Sequence, residues 1–484
     1  MARWHLSLLA AAVAAVQAVA GATLPAVAAT QIAAAVNQVD AAATRAATAA
    51  TQPAVPATGA SAADFVACAA RYASPQAGVE PNSVSVEARR ESQADDLAAL
   101  LTLAAHAQVF ALGEPGHGGH EPLALRNRAF QHLIEHGGFT AVALETSFTE
   151  SRELHDFVLG RAVEGDARTL VRRDFSWGFG EYAENVQLIQ WLHDYNADAS
   201  HIRKIRFYGI DLSGADNQDG FSKARSAVDH ALRVLERDQP SRAERFRAEL
   251  APLLARFSDR DYSTLSAPEG KRLERALASI ATSLQRGDGE DFEWARREIL
   301  IAQRLQALFR VAKPRPDAET MLPSDYRMVN VRDAAMAANV QWVLRQEGAN
   351  ARLLLFAHNA HVMNERTRGG IWNVFDRPPQ MMGQHLRRAL GARLLTVGTL
   401  VRASGPGLPS APPPADSVEE ALAGLNLPLF LLDLRKAACS PGASDWLSRR
   451  HAVRANFNTE LDVVPGKAFD AIEFIAEATP AWRN

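Results

Sequence analysis

A chain of 484 residues with 47% hydrophobic content can bury a large core in one or more domains. Its 52 Lys+Arg against 55 Asp+Glu leave a formal charge of −3, which argues against a basic groove for nucleic acid and against a polybasic membrane patch. The two cysteines, Cys68 and Cys439, are too few for a disulfide framework and are either a single pair or two free thiols.

In chain order, Arg3 precedes an uncharged, Ala-dominated stretch from Leu6 to Ala20, with small-x-small sites at Ala18-Val19-Ala20 and Ala26-Val27-Ala28. This pattern predicts a signal peptide over residues 1–28, a periplasmic or secreted protein, and no membrane span after cleavage. Residues 29–63 are mostly Ala, Thr, Val, Gln and Pro, with little to bury, and read as a linker. The remainder, 64–484, is expected to form one α/β domain.

Within it, short apolar runs alternate with amphipathic segments. Strands are expected at 107–112, 139–144 (ending at Glu145), 205–210 (ending at Asp211), 352–357 (ending at His358), 394–399, 429–432 and 471–475. A helix is expected at 122–136, closed by Gly137-Gly138. From about 217 to 310, Arg, Glu, Ala and Leu at helical spacing predict a helical insertion, and 402–416 reads as a loop. Alternation of this kind predicts a largely parallel sheet flanked by helices, whose strand ends form the edge where ligands bind.

The residues with most chemical potential sit at those ends. The run A-L-G-E-P-G-H-G-G-H-E, residues 111–121, places Glu114, His117, His120 and Glu121 in a glycine-rich turn after a buried strand. F-A-H-N-A-H-V, residues 356–362, adds His358 and His361. No G-x-S-x-G, Walker A or G-x-G-x-x-G occurs, so the usual serine elbow and the common nucleotide loops are missing. Histidines beside carboxylates suit activation of water near neutral pH instead.

The motifs G-E-P-G-H-G-G-H-E, A-V-A-L-E, F-Y-G-I-D-L, R-D-A-A-M-A-A-N, A-H-N-A-H-V and M-G-Q-H-L follow in that order, and F-D-A-I-E-F-I lies near residue 475. Together they resemble the erythromycin esterase family. The resemblance implies hydrolysis of a small-molecule ester, in named members the macrolactone of a macrolide antibiotic, by histidine-activated water without metal, cofactor or covalent intermediate. It also implies site residues: His117 as general base with Glu114 beside it, then Arg126, Glu145, His358 and His361. Glu121, Asp211, Trp177, Glu184 and Arg332 are expected to bind substrate. Gly116 stands where the family often has a small hydroxyl residue, and His120 has no assigned role. Two alternatives are a hydrolase binding a metal through His117, His120, Glu121, Glu145 and the His358/His361 pair, and an exported protein that holds a small molecule or haem without catalysis.

Overall fold

A computed structural model describes residues 60–78, 96–214, 221, 223–312 and 321–484; the expected signal peptide and most of the expected linker lie outside the described residues. The last residues of that linker, from Ala60, are the first turn of a helix, α1 (Ala60–Tyr72). The chain then runs through β1 (Ala73–Pro75), α2 (Ala98–Ala104), β2 (Val109–Glu114), α3 (His120–Gly137), β3 (Ala141–Ser147), α4 (Ser151–Val158), α5 (Ala167–Asp174), α6 (Ala183–Ala197) and β4 (Arg206–Asp211). Four helices follow, α7 (Ser226–Asp238), α8 (Pro240–Leu254), α9 (Ala267–Leu284) and α10 (Glu290–Phe309), and these form the expected insertion. After α11 (Tyr326–Glu347) come β5 (Leu353–His358), α12 (Asn359–Val362), α13 (Met382–Leu390), β6 (Leu394–Ser404), β7 (Leu429–Asp433), a hairpin of β8 (His451–Ala455) and β9 (Thr459–Val463), and β10 (Ala471–Ala478).

Eight strands form one sheet in the order β1-β7-β10-β6-β2-β5-β3-β4. The pairings from β10 through β4 are parallel, and β7 pairs antiparallel with β10 and β1. The central strands are apolar on both faces because both are covered. On one face Val109, Ala111, Leu353 and Leu355 pack with the insertion helices and α11. On the other, Phe110, Leu112, Leu354 and Phe356 pack with α3, α5 and α6. This is the continuous hydrophobic reading expected of parallel strands in a three-layer α/β/α arrangement. The helix α3 ends where the glycine pair predicted, with Gly138 left-handed at φ 68°.

Three local features exceed the sequence expectation. β6 extends to Ser404, the β8–β9 hairpin is an additional two-stranded sheet, and Cys68 is joined to Cys439 by a disulfide. Among the described residues, no helix is long and apolar enough to cross a membrane.

Candidate active site

Parallel pairing puts the C-terminal ends of β2, β5, β3 and β4 side by side, with Glu114 opposite His358 in the ladder. Glu114, Asp211 and His358 are the last residues of their strands, and Glu145 lies two residues before the end of β3. The turn after β2 then presents His117, with Nδ1 2.6 Å from Glu114 Oε2. Its side chain is 33% exposed whereas that of Glu114 is 6% exposed, so the acid sits behind a histidine that solvent can reach. Burial lowers the His117 pKa, but the adjoining Glu114 carboxylate, with Glu145 beyond it, outweighs that and holds the group above its usual value. Phe179 covers the ring at 4.7 Å, and His358 lies 5.4 Å away, centroid to centroid.

Two glycines shape this turn. Gly118 has φ 87°, a conformation that favours glycine. A Cβ on Gly116 would lie 2.7 Å from Asn456 Cα, because the β8–β9 turn lies on this loop with Asn456 N–H donating to Pro115 O at 2.8 Å. The absence of a hydroxyl residue at position 116 therefore follows from the packing.

The other histidines take different charge states, one neutral and one positive. His358 is buried, and its Nδ1 accepts a hydrogen bond from Ala360 N–H at 3.1 Å, which leaves the proton of the neutral ring on Nε2. Burial, reinforced by His117 and His361, pushes its pKa down to about 3. His361 is also buried, yet Nδ1 is 2.7 Å from Asp333 Oδ1 and Nε2 is 3.3 Å from Glu145 Oε1. Burial lowers its pKa, but these two carboxylates overcome that and hold it well above the usual value, as an imidazolium. Glu145 in turn is kept well below the usual carboxylate range: His361 and Arg332 offset its burial, and the backbone N–H of His358 donates to Oε2 at 2.8 Å.

Arg332, on α11, joins Glu145 (2.8 Å) to Asp211 (2.6 Å) through Nη2, and its guanidinium lies over Trp177 at 5.1 Å. Trp177 Nε1–H donates to Asp211 Oδ2 at 2.8 Å from a residue with φ 60°, left-handed backbone that is uncommon for a bulky side chain. Asp211 is fully buried and, with Trp177, fixes the Arg332 guanidinium that contacts Glu145 and His361.

The remaining expected residues lie elsewhere. Arg126 is 1% exposed, donates to Asn127 and Asn185, and stacks over Phe356 at 4.8 Å. Burial draws its pKa down to about 10, while Glu114 and Glu184 act to raise it. It is a buried cation near Glu114, with its hydrogen bonds directed at amide oxygens. Glu184 pairs with His120 at 2.6 Å, and Glu121 accepts from Thr479 N–H at 2.6 Å; both hold the segment after β10 and stand apart from the cluster. His120 and Glu121 are therefore oriented away from the donor set a metal would need beside His117. Among the described residues, no group of three or more His, Cys, Asp or Glu is arranged to hold a metal ion. Asp333 was missed by sequence reasoning, although R-D-A-A-M-A-A-N contains it directly after Arg332. A polar cavity of about 920 Å³, lined by Arg152, Glu153, Asp229, His230 and Glu290 among others, lies between α4 and the insertion and includes none of the cluster.

The erythromycin esterase family model matches residues 134–478, beginning after the turn that carries His117. Erythromycin esterase type II from Escherichia coli is 23% identical over 319 residues, covering 63% of this chain and 71% of the relative. Type I from the same organism is 24% identical over 315 residues, with the same coverage. A solved structure of a succinoglycan biosynthesis protein superimposes with a TM-score of 0.70 at 21% identity, covering 88% of this chain and 99% of that one. An erythromycin esterase mutant in its open conformation gives 0.62 at 18% identity, with coverages of 85% and 98%. These solved structures share the fold.

Proposed function

Because the chain belongs to the erythromycin esterase family, we propose that it hydrolyses a small-molecule ester with water activated by His117 and no covalent intermediate. The observation that carries this reading is the 2.6 Å contact of a solvent-reachable His117 with a buried Glu114. With Nδ1–H donated to the carboxylate, the lone pair on Nε2 takes a proton from water, and the hydroxide attacks the ester carbonyl. Negative charge then develops on the carbonyl oxygen. The neutral His358 Nε2–H and the positive His361–Arg332 group are the donor and the field available to stabilise it. Protonated His117 returns its proton to the departing alkoxide, which restores the base. Glu145 fixes the charge of His361 and the backbone of His358, while Arg126 contributes positive charge behind Glu114.

The substrate is an ester whose acyl carbon can reach the β2–β5 edge, and a macrolide macrolactone is the first to test, since the curated relatives are erythromycin esterases. Ring opening would inactivate such an antibiotic. Export to the periplasm or medium agrees with the Arg3–Ala20 pattern and with the Cys68–Cys439 disulfide, a bond that persists in oxidising compartments. The test is turnover of a panel of macrolactones and simple esters before and after exhaustive chelation. Hydrolysis of at least one member, at a rate unaffected by chelation, is expected. Loss on chelation would establish the metal reading instead, and a protein with a haem Soret band that turns over no ester would establish the binding reading.

A further inference from the structure

His120 and Glu121 open α3 directly after the turn that bears His117 but take no part in its proton transfer, and both hold the same piece of chain. Glu121 accepts from Thr479 N–H and Oγ1–H at 2.6 and 2.9 Å. His120 N–H donates to Thr479 O, and Ala481 N–H to Gly118 O, both at 2.7 Å. On its other side the segment binds the stretch from Gly180 to Glu184: Ala183 N–H donates to Trp482 O at 2.8 Å, Asn484 N–H to Glu181 O at 2.9 Å, and Trp482 N–H to Glu184 Oε1 at 3.0 Å. Isolated bridge pairs, Gly119 with Pro480 and Tyr182 with Arg483, mark it as an extended segment laid between the two. The buried His120–Glu184 pair ties the flanks together beneath it, with the Trp482 indole stacked on His120 at 4.3 Å and 19°.

The two flanks carry the surroundings of the base. One bears His117; the other bears Phe179, whose ring rests on His117. We infer that Thr479–Trp482 is a positioning strap, and that His120, Glu121 and Glu184 are its anchors: together they hold the turn so that His117 keeps its contact with Glu114. The inference rests on His117 being the base, and it explains two residues of the glycine-rich turn that hydrolysis leaves unused. Rigid placement matters because small displacements of a reacting group are costly, on the order of a hundredfold in rate for about 1 Å.

Trp482 is 40% exposed, so Trp482→Ala removes the stack on His120 with little loss of core. The measurement is an NMR titration of the His117 imidazole, with kcat and KM on the hydrolysed ester, in wild type, Trp482→Ala and Trp482→Phe. The groups bearing on this titration are Glu114 from β2, Glu145 from β3, and His358 and His361 from the end of β5 and α12. In Trp482→Ala the His117 pKa falls as the Glu114 contact loosens, kcat drops on the order of tenfold, and KM stays within about twofold. Trp482→Phe restores the titration and the rate. An unchanged His117 titration in Trp482→Ala overturns the strap, because a structural defect would lower the folded fraction without moving that pKa. Glu121→Ala, which removes the acceptor of Thr479 N–H and Oγ1–H, serves as a second variant, and the same readings apply. The titration needs no substrate, so a His117 pKa that falls in a chain hydrolysing no ester supports the strap while refuting the catalytic reading.

Discussion

His117 and His358 are the same residue type 5.4 Å apart, and their surroundings send them in opposite directions. A carboxylate at Nδ1 raises the first, while burial against neighbouring imidazoles depresses the second to about 3. In the proposed mechanism the pair divides the labour of acid–base chemistry: one group, held above its usual range, exchanges a proton with water, and the other stays neutral as a fixed donor. The sign of the pH dependence follows. With His117 as the proposed base, only its neutral form acts, so kcat/KM is expected to rise with pH through a pKa above the ordinary histidine value of about 6.5. Glu114→Gln removes the charge that raises it, and the acid limb of the profile moves to lower pH as the maximal rate falls. An acid limb that stays in place in Glu114→Gln would show that another group controls it. Asp333 works one step further out. Its contact with His361 fixes the imidazolium that Glu145 faces, yet in the sequence it is an aspartate in a helix, with no strand end to single it out.

At the scale of elements, the strands carrying the site were legible because each is a short apolar run closed by a polar residue, and the parallel ladder then brings Glu114, Glu145, Asp211 and His358 to one edge. What was not legible depends on contacts between distant segments. Arg126 and Glu184 lie in helices, where sequence spacing does not say which partners a residue meets; Arg126 meets Asn127, Asn185 and Phe356, and Glu184 meets His120 and Trp482 N–H. The β8–β9 turn that packs on Gly116, and the strap after β10, are each only a few residues long and carry no motif of their own. Pairing of Cys68 with Cys439 is equally non-local, joining α1 to the segment after β7 across 371 residues. Closing so long a loop restricts the unfolded chain, and removing the bond costs roughly 2–5 kcal/mol. Cys439 is exposed, so Cys439→Ser should lower the thermal midpoint by several degrees with little repacking, and reduction of the wild type should do the same. Equal midpoints for oxidised, reduced and substituted protein would contradict the bond.

Over the whole molecule, the doubly covered sheet supplies a rigid platform, and the candidate site lies at its C-terminal edge, where the topology of open α/β sheets favours ligand binding. Helices on one face support Arg126 and the anchors of the turn; α11 on the other supports Arg332 and Asp333. Both sets of support converge on His117 and His361, and of the two His117 is the histidine that meets solvent. The most direct measurement is turnover of the hydrolysed ester by wild type and His117→Asn at matched pH, with thermal unfolding of each. A loss in kcat on the order of 10²–10⁴ at an essentially unchanged midpoint is expected. Equal turnover by His117→Asn and wild type would contradict His117 as the base.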